Sequence, residues 1–246
     1  MMVILRRNHV VMFLFSCCFL VASFGVYLFA LHPNLKEWQR QGIVVSSVDT
    51  NEKAIALTID DGPNPEATPE VLRVLQENQA RATFFVLGVY AKDHPTLVEE
   101  IQIHGHEIGS HGYTHNIRQY NNSEFARSDV QRSLEVITSI TGTRPRLLRP
   151  PGGFLSHDLV NYCKQEKLTI VSWTWNADYK DWKATNADSL ADKIVAGVEP
   201  GQIILLHDGG ENRQVMIRAL SLALPKLSEL GYRFVTVSEL LAMKNK

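Results

Sequence analysis

Cysteine is scarce in this chain of 246 residues: three are present, Cys17 and Cys18 side by side near the N-terminus and Cys163 alone downstream. One downstream thiol cannot build a disulfide framework, so the fold there must rest on its core. No low-complexity tract interrupts the chain, and 45% hydrophobic with 21% charged residues is an ordinary globular composition. An excess of either charge is also missing. The formal net charge is −1, which argues against a nucleic-acid partner held by a general basic field. No glycine fingerprint for a dinucleotide follows any apolar run, which lowers the case for a Rossmann function. The length suits one domain of α/β-barrel size or two small ones.

Charge is absent altogether between Val10 and Leu31, where Phe, Leu and Val dominate. A helix of that length would span roughly 33 Å, enough to cross a hydrocarbon core. Arg6 and Arg7 precede it, so the positive-inside bias expects residues 1–9 in the cytoplasm and the remainder outside. A cleaved signal peptide is the rival reading, with weak cleavage sites at Ala22-Ser23-Phe24-Gly25 and Ala30. The run exceeds a usual signal core and reads as an uncleaved anchor over 10–31. Phe15 in the LFSC stretch is too bulky for a lipoprotein cleavage box. Residues 32–52 read as a stalk or lead-in, and 53–246 as the working domain.

That domain alternates. Apolar, β-rich runs fall at 54–59, 82–87, 107–110, 146–149, 168–173, 202–206 and 233–237. Helical spacing appears between them: a helix with Thr68 as N-cap and Pro69 in its first turn, then 96–104, 124–140, 156–166, 189–196, 215–230 and 238–243. Pro225 is expected to kink or split the sixth. The repeat predicts a parallel sheet with helical crossovers, as an open doubly wound sheet or a closed barrel.

Polar residues crowd at the C-terminal ends of these strands, where parallel α/β proteins gather their loops. In LTIDDGPNP, residues 57–65, Asp60 and Asp61 end the first strand. SHGYTH places His111 and His115 four apart, so that one turn of helix would present both imidazoles to one cation. With Asp61 they make two neutral nitrogens and a carboxylate, a set suited to Zn²⁺ or another divalent transition metal. Three protein ligands leave a position open for water, the mark of a catalytic site. Consecutive residues in an extended segment point to opposite sides, so Asp60 and Asp61 can do different work. Arg149 is placed to pair with a carboxylate, most simply Asp60. In LLRPPGG a backbone N–H near Gly152 could face a developing oxyanion. His207 follows the apolar IILL and needs a carboxylate, Asp178 or Asp181, to hold its ring.

Together these motifs resemble the polysaccharide deacetylases, the NodB-homology group of carbohydrate esterase family four. The likeness covers about residues 53–241. Thr58-Ile59-Asp60-Asp61 is similar to the family's Thr-Phe-Asp-Asp, and His111 through His115 to its His-x-x-x-His. Arg149, Pro151 and Gly153 meet Arg-x-Pro-x-Gly; Asp178, Asp181 and Trp182 meet Asp-x-x-Asp-Trp; Leu205 and His207 meet Leu-x-His. The resemblance implies a distorted (β/α) barrel of about seven parallel strands, with Asp60 as general base and Asp61, His111 and His115 as ligands to one divalent metal, Zn²⁺ foremost or Co²⁺. It further implies that Arg149 positions Asp60, Asp181 supports His207 as general acid, and Trp182 and Leu205 line an acetyl pocket. Gly152 stands where the family usually has Tyr, which keeps the oxyanion donor and loses a ring beside the sugar. The expected activity is removal of N-acetyl groups from amino sugars of an extracytoplasmic polysaccharide, peptidoglycan or a chitin-like oligosaccharide. Deacetylation or deformylation of a lipid-linked sugar, or an inactive carbohydrate-binding protein, are the alternatives. Paired acids across a glycosidic bond stand several ångströms apart, which adjacent Asp60 and Asp61 do not easily do.

Overall fold

The computed structural model describes residues 35–210 and 213–245. The expected anchor at 10–31 and the segment before it lie outside these residues. Among the described residues no helix is long and apolar enough to cross a membrane. The chain divides into two compact units, 1–40 and 41–246. The described part of the first is helix α1, Leu35–Arg40.

The second unit is an α/β distorted barrel of parallel strands. Its elements in order are β1 (Val44–Val45), β2 (Ala54–Asp60), α2 (Thr68–Glu77), β3 (Thr83–Val86), α3 (Gly88–Asp93), α4 (Pro95–Ile103) and β4 (Glu107–Ser110). There follow α5 (Ser123–Thr141), β5 (Leu147–Leu148), α6 (His157–Gln165), β6 (Thr169–Val171), α7 (Ala187–Gly197), β7 (Ile203–His207), α8 (Arg213–Glu229), β8 (Arg233–Val235) and α9 (Val237–Ala242). The strand order is β1-β6-β5-β4-β3-β2-β7, with β8 laid along the entering half of β2. The ring closes through loop backbone. Val48 N–H donates to Gly201 C=O at 2.8 Å and Thr174 N–H to Ile203 C=O at 3.0 Å. Strands of two or three residues at β1, β5 and β6 make that side irregular.

β2 shows why the runs are continuously apolar: every residue from Ala54 to Asp60 is buried, as expected of a strand covered on both faces. Ile55, Leu57 and Ile59 face the helices and join the larger core with Leu72, Leu75, Leu220 and Leu224. Ala54 and Ala56 face inward beside Phe85, Leu147, Val171 and Ile203, with Val237 and Leu240 of α9 in the same cluster. Thr58 and Asp60 continue that inward row by the alternation of a strand, and there the lining turns polar.

Four details differ from the sequence reading. β1 arises within the expected lead-in and pairs with β6; two residues are too few to show a period. Helix α3 precedes α4 as a separate turn, with Gly88 N–H donating to Gly112 C=O at 2.9 Å. α8 runs through Pro225 without splitting, because Met216, Leu220, Ala223, Leu224 and Leu227 dock both halves against the core. Thr68 is not a cap: Asn64 Oδ1 takes the N–H groups of Glu66 and Ala67, and the Thr68 hydroxyl turns inward to Asp208.

At the opposite end of the barrel, His106 is buried before β4, its Nδ1 accepting the Ala82 N–H at 3.2 Å and its Nε2 without a partner. Burial, then the nearby charges of His104 and Arg81, push its pKa from 6.5 down to about 4. A depressed histidine lends stability that is full above the unfolded pKa and is lost as pH falls through the folded one. Stability is therefore expected to fall between pH 6.5 and about 4, this residue's share being on the order of 3 kcal/mol. Urea melts across that window should show a flatter acid limb in His106→Gln, which keeps an acceptor for Ala82 and cannot charge.

Candidate active site

The site begins with an arginine drawn out of water. Arg149, just past β5, is 1% exposed, and a buried guanidinium is tolerable only when its donors are satisfied. Nη1 donates to Asp60 Oδ1 and Thr58 Oγ1, each at 2.7 Å, Nε to the Val171 carbonyl at 3.1 Å and Nη2 to the Ser172 carbonyl at 3.0 Å. The Phe85 ring lies 4.3 Å beneath the guanidinium carbon. These bonds join the exits of β2, β5 and β6 and hold the Asp60 carboxylate in one orientation. Its other oxygen, Oδ2, lies 3.9 Å from His111 Nε2.

Asp61 leaves the strand with φ +74°. The two carboxylates therefore do not diverge as strand alternation predicts: the left-handed turn swings Asp61 back toward the same imidazole, 3.4 Å from His111 Nε2. Partners, not opposite directions, separate their roles. His111 Nδ1 lies 2.7 Å from the Arg149 carbonyl, an atom that can only accept, so Nδ1 carries the proton and Nε2 presents a lone pair. His115 Nε2 stands 3.5 Å from Asp61 Oδ1. One ligand atom from each of Asp61, His111 and His115 falls within 4.8 Å of the others.

This donor set fits a divalent cation. Asp61 Oδ1 is buried without a hydrogen-bond partner, an arrangement that is costly unless something positive sits there. Burial alone would raise the Asp61 pKa, but the facing imidazoles, His111 foremost and then His115 and His207, outweigh it and hold the pKa at about 2. Burial lowers the pKa of His115 against the pull of Asp61, favouring the neutral ring a metal requires.

The His111–His115 segment is a bend, not the expected helical turn. Gly112 has φ +79°, and a Cβ there would lie 2.3 Å from the Tyr120 hydroxyl. What shapes the bend is Asp129 of α5, a residue that lies outside the motifs. Its carboxylate accepts the Tyr113 N–H at 2.8 Å, the Thr114 N–H at 3.0 Å, the Thr114 hydroxyl at 2.8 Å and the Tyr120 hydroxyl at 2.7 Å. A signal for it existed: Asp129 shares a helical face with Ala126, Val130, Ser133 and Ile137, all buried, and a carboxylate on such a stripe needs a purpose. Asp129→Ala is expected to weaken zinc binding about 10- to 100-fold, measured by competition with a chromophoric chelator.

On the far side of Asp60, β7 brings His207 into register beside it. Asp181 holds this histidine twice, Oδ1 2.9 Å from Nδ1 and Oδ2 accepting the backbone N–H at 2.8 Å. Asp178 caps its own turn instead, taking the Lys180 N–H at 3.1 Å. Burial would lower the pKa of His207, but the hydrogen bond and charge of Asp181, then the charges of Asp60 and Asp61, raise it to about 9. Asp60, the Asp61–His111–His115 trio and His207 thus meet at one strand-end cleft.

A family profile described as polysaccharide deacetylase matches residues 47–171. A peptidoglycan-N-acetylglucosamine deacetylase of Bacillus cereus is 39% identical over 210 residues, covering 85% of this chain and 98% of that protein. The chain belongs to the polysaccharide deacetylase family. A chitooligosaccharide deacetylase of Sinorhizobium fredii is 38% identical over 74% of this chain and 89% of its own. The crystal structure of a peptidoglycan N-acetylglucosamine deacetylase superposes with a TM-score of 0.79 at 32% identity, covering 87% of this chain and 99% of the other.

Against the family pattern, the Gly152 departure has a local reason. Gly152 sits at φ +63° in the turn Pro151–Gly153, and a Cβ would meet Ile117 Cδ1 at 3.0 Å. The turn's own bonds use the Gly153 and Phe154 N–H groups, at 2.9 and 3.3 Å, leaving that of Gly152 outside them. Trp182, 48% exposed, follows Asp181 in a short turn with the Lys183 ammonium 4.4 Å from its ring, while Leu205 is buried two residues before His207 on the inward row. A second carboxylate the polysaccharide deacetylase motifs left unassigned is Asp208. It is wholly buried behind the Asp61–Gly62 turn, with Oδ2 accepting the Thr68 hydroxyl at 2.5 Å. Burial, opposed by that bond and joined by the charges of Asp61 and Asp60, raises its pKa to about 7.

Proposed function

We propose that this protein hydrolyses the N-acetyl amide of an amino sugar in a polysaccharide outside the cytoplasmic membrane, releasing acetate and leaving a free amine. The observation that carries the reading is the convergence on His111 Nε2. Asp61 supplies a ligand oxygen 3.4 Å away, and Asp60, oriented by Arg149 through Oδ1, presents its other carboxylate oxygen, Oδ2, 3.9 Å away. Asp61, His111 and His115 would hold one divalent ion, zinc or cobalt, which when bound polarises the acetyl carbonyl and lowers the pKa of water.

The remaining work belongs to the chain's own groups. Asp60 takes the proton of the attacking water, since Arg149 engages only one of its oxygens and leaves the other to accept. The water oxygen bonds to the acetyl carbon, the carbonyl oxygen takes up the negative charge where the Gly152 N–H stands to receive it, and collapse of that tetrahedral centre then breaks the C–N bond. His207 gives the departing nitrogen its proton from Nε2, its Nδ1–H being tied to Asp181. A pKa near 9 keeps that imidazole charged at neutral pH, which supports the acid role. Trp182 and Leu205 border the acetyl methyl in this reading.

Peptidoglycan is the favoured substrate, supported by the likeness to the Bacillus cereus enzyme; the uncharged apolar run at residues 10–31, as a membrane anchor, would hold the domain against the wall. Incubation of the zinc- or cobalt-loaded protein with peptidoglycan fragments and with chitooligosaccharides tests it, acetyl loss being read by mass spectrometry. Loss from peptidoglycan fragments is expected; unchanged mass with both substrates would overturn the reading.

A further inference from the structure

The turn that supplies Asp181 has a second side. Asp181 is buried against His207, yet Lys180 and Lys183 on its two flanks are exposed. Lys180 opens the Asp181–Lys183 turn at φ +53°. With Lys193 of α7 they line a cleft of about 300 Å³, which has Asn186 and Ser189 on its wall as well. No aspartate or glutamate reaches that lining. The acids close by in sequence are engaged elsewhere: Asp178 takes the Lys180 backbone N–H at 3.1 Å, and Asp192 pairs with Lys226 at 2.9 Å. Asp188, exposed in the first turn of α7, is off this wall. Among the described residues none of the three ammonium groups has a carboxylate partner; that of Lys183 rests 4.4 Å from the centre of the Trp182 ring.

Like charges gathered without a counter-charge raise the local positive potential and draw anions in. Asn186 adds a donor, since its Oδ1 is taken by the Ser189 N–H at 2.8 Å and its NH₂ is the end left over. The cleft over Asp61 and His115, by contrast, has no lysine or arginine on its lining. Recognition of negative charge therefore falls to the His207 side of the site. Lysine is a point charge on a flexible stem, not a planar fork, which suits carboxylates whose position varies along a polymer. Peptidoglycan strands carry such groups on their lactyl-linked peptides; a chitooligosaccharide carries none.

We propose that Lys180, Lys183 and Lys193 form a docking site for the carboxylates of an acidic glycan, so that the protein prefers a carboxylate-bearing strand to a neutral one. The proposal deepens the deacetylase reading and rests on it for the substrate. It is tested by acetate-release kinetics of the zinc-loaded protein on peptide-bearing peptidoglycan fragments, on the same fragments with their carboxylates amidated, and on N-acetylglucosamine pentamer. The double variant Lys180→Gln/Lys193→Gln removes two charges and leaves Lys183 beside Trp182. Amidation is expected to lower kcat/KM of the wild type about tenfold, through KM, and that of the double variant by less than about twofold. Lys180→Arg/Lys193→Arg should keep the wild-type response, and added KCl should erase it. An amidation effect of equal size in the wild type and the glutamine variant, or none in either, would overturn the lysine assignment even where acetate is released. No acetate from any of the three substrates would instead overturn the deacetylase reading. Calorimetric titration with charged and amidated fragments then decides the lysine site: it stands if the wild type binds the charged ones more tightly and the glutamine variant does not, and falls if the wild type fails to tell them apart.

Discussion

Replacing Asp60 with asparagine is expected to slow acetate release by about 10²- to 10⁴-fold, the usual contribution of a general base, while zinc content stays at the wild-type level. The separation follows from the geometry. Asparagine has nearly the same shape, and its carbonyl can still accept from Arg149 Nη1, which now bonds Asp60 Oδ1 at 2.7 Å. What it cannot do is take a proton from water. The three ligand residues, Asp61, His111 and His115, are untouched, and their donor atoms remain within 4.8 Å of one another. Acetate kinetics together with metal analysis of the same preparation check both halves. Turnover at the wild-type rate would remove Asp60 from the chemistry. Loss of zinc along with turnover would move it into the ligand set.

Arg149→Met is expected to cost more than activity. The guanidinium engages Thr58, Asp60 and the carbonyls of Val171 and Ser172 at once. Its loss leaves a carboxylate that is 3% exposed without its counter-charge. Breaking a buried pair from one side destabilises by roughly 3–5 kcal/mol, and in a domain of this size the melting temperature should fall on the order of 10 °C. The double variant Asp60→Asn/Arg149→Met should recover part of that stability and remain inactive, because the stranded charge has gone and the base with it. Thermal melts by circular dichroism decide. An unchanged midpoint in the single variant would mean that water reaches Asp60 and that the pair is not the structural tie described here.

The two experiments bear on one feature from opposite sides, since Arg149 makes Asp60 available by engaging one oxygen only. Asp129 does the comparable service for the metal ligands, and neither acts on its own element. Arg149 spans from the exit of β5 to β2 and β6, and Asp129 from α5 to the bend after β4. Both are long-range polar contacts made from buried positions, where a carboxylate or guanidinium without partners would be unfavourable.

Much of the site was legible because its residues carry their chemistry in their type and their position in the strand–helix alternation. Asp60, Asp61, His111, His115, Arg149 and His207 each follow an apolar run, and a parallel sheet brings such ends together. Asp129 and Asp208 drew no role from the motifs. Each acts through hydrogen bonds to segments apart in sequence, 15 or 16 residues away for Asp129 and 140 for the Asp208–Thr68 bond. The choice between Asp178 and Asp181 as partner of His207 likewise depended on the path of the loop after β6, where Lys180 adopts φ +53°.

The order of apolar runs and the residue types at their ends determined, from sequence alone, that this is a parallel α/β chain with a strand-end cluster fit for a divalent metal. Tertiary structure decided how the barrel closes, how Asp61 turns back toward His111, and which buried acids hold the His111–His115 bend and the His207 ring. Periodicity reports which face of an element is buried, a local property. The direction of a polar side chain in a loop is set by partners that only the folded chain brings within hydrogen-bond reach.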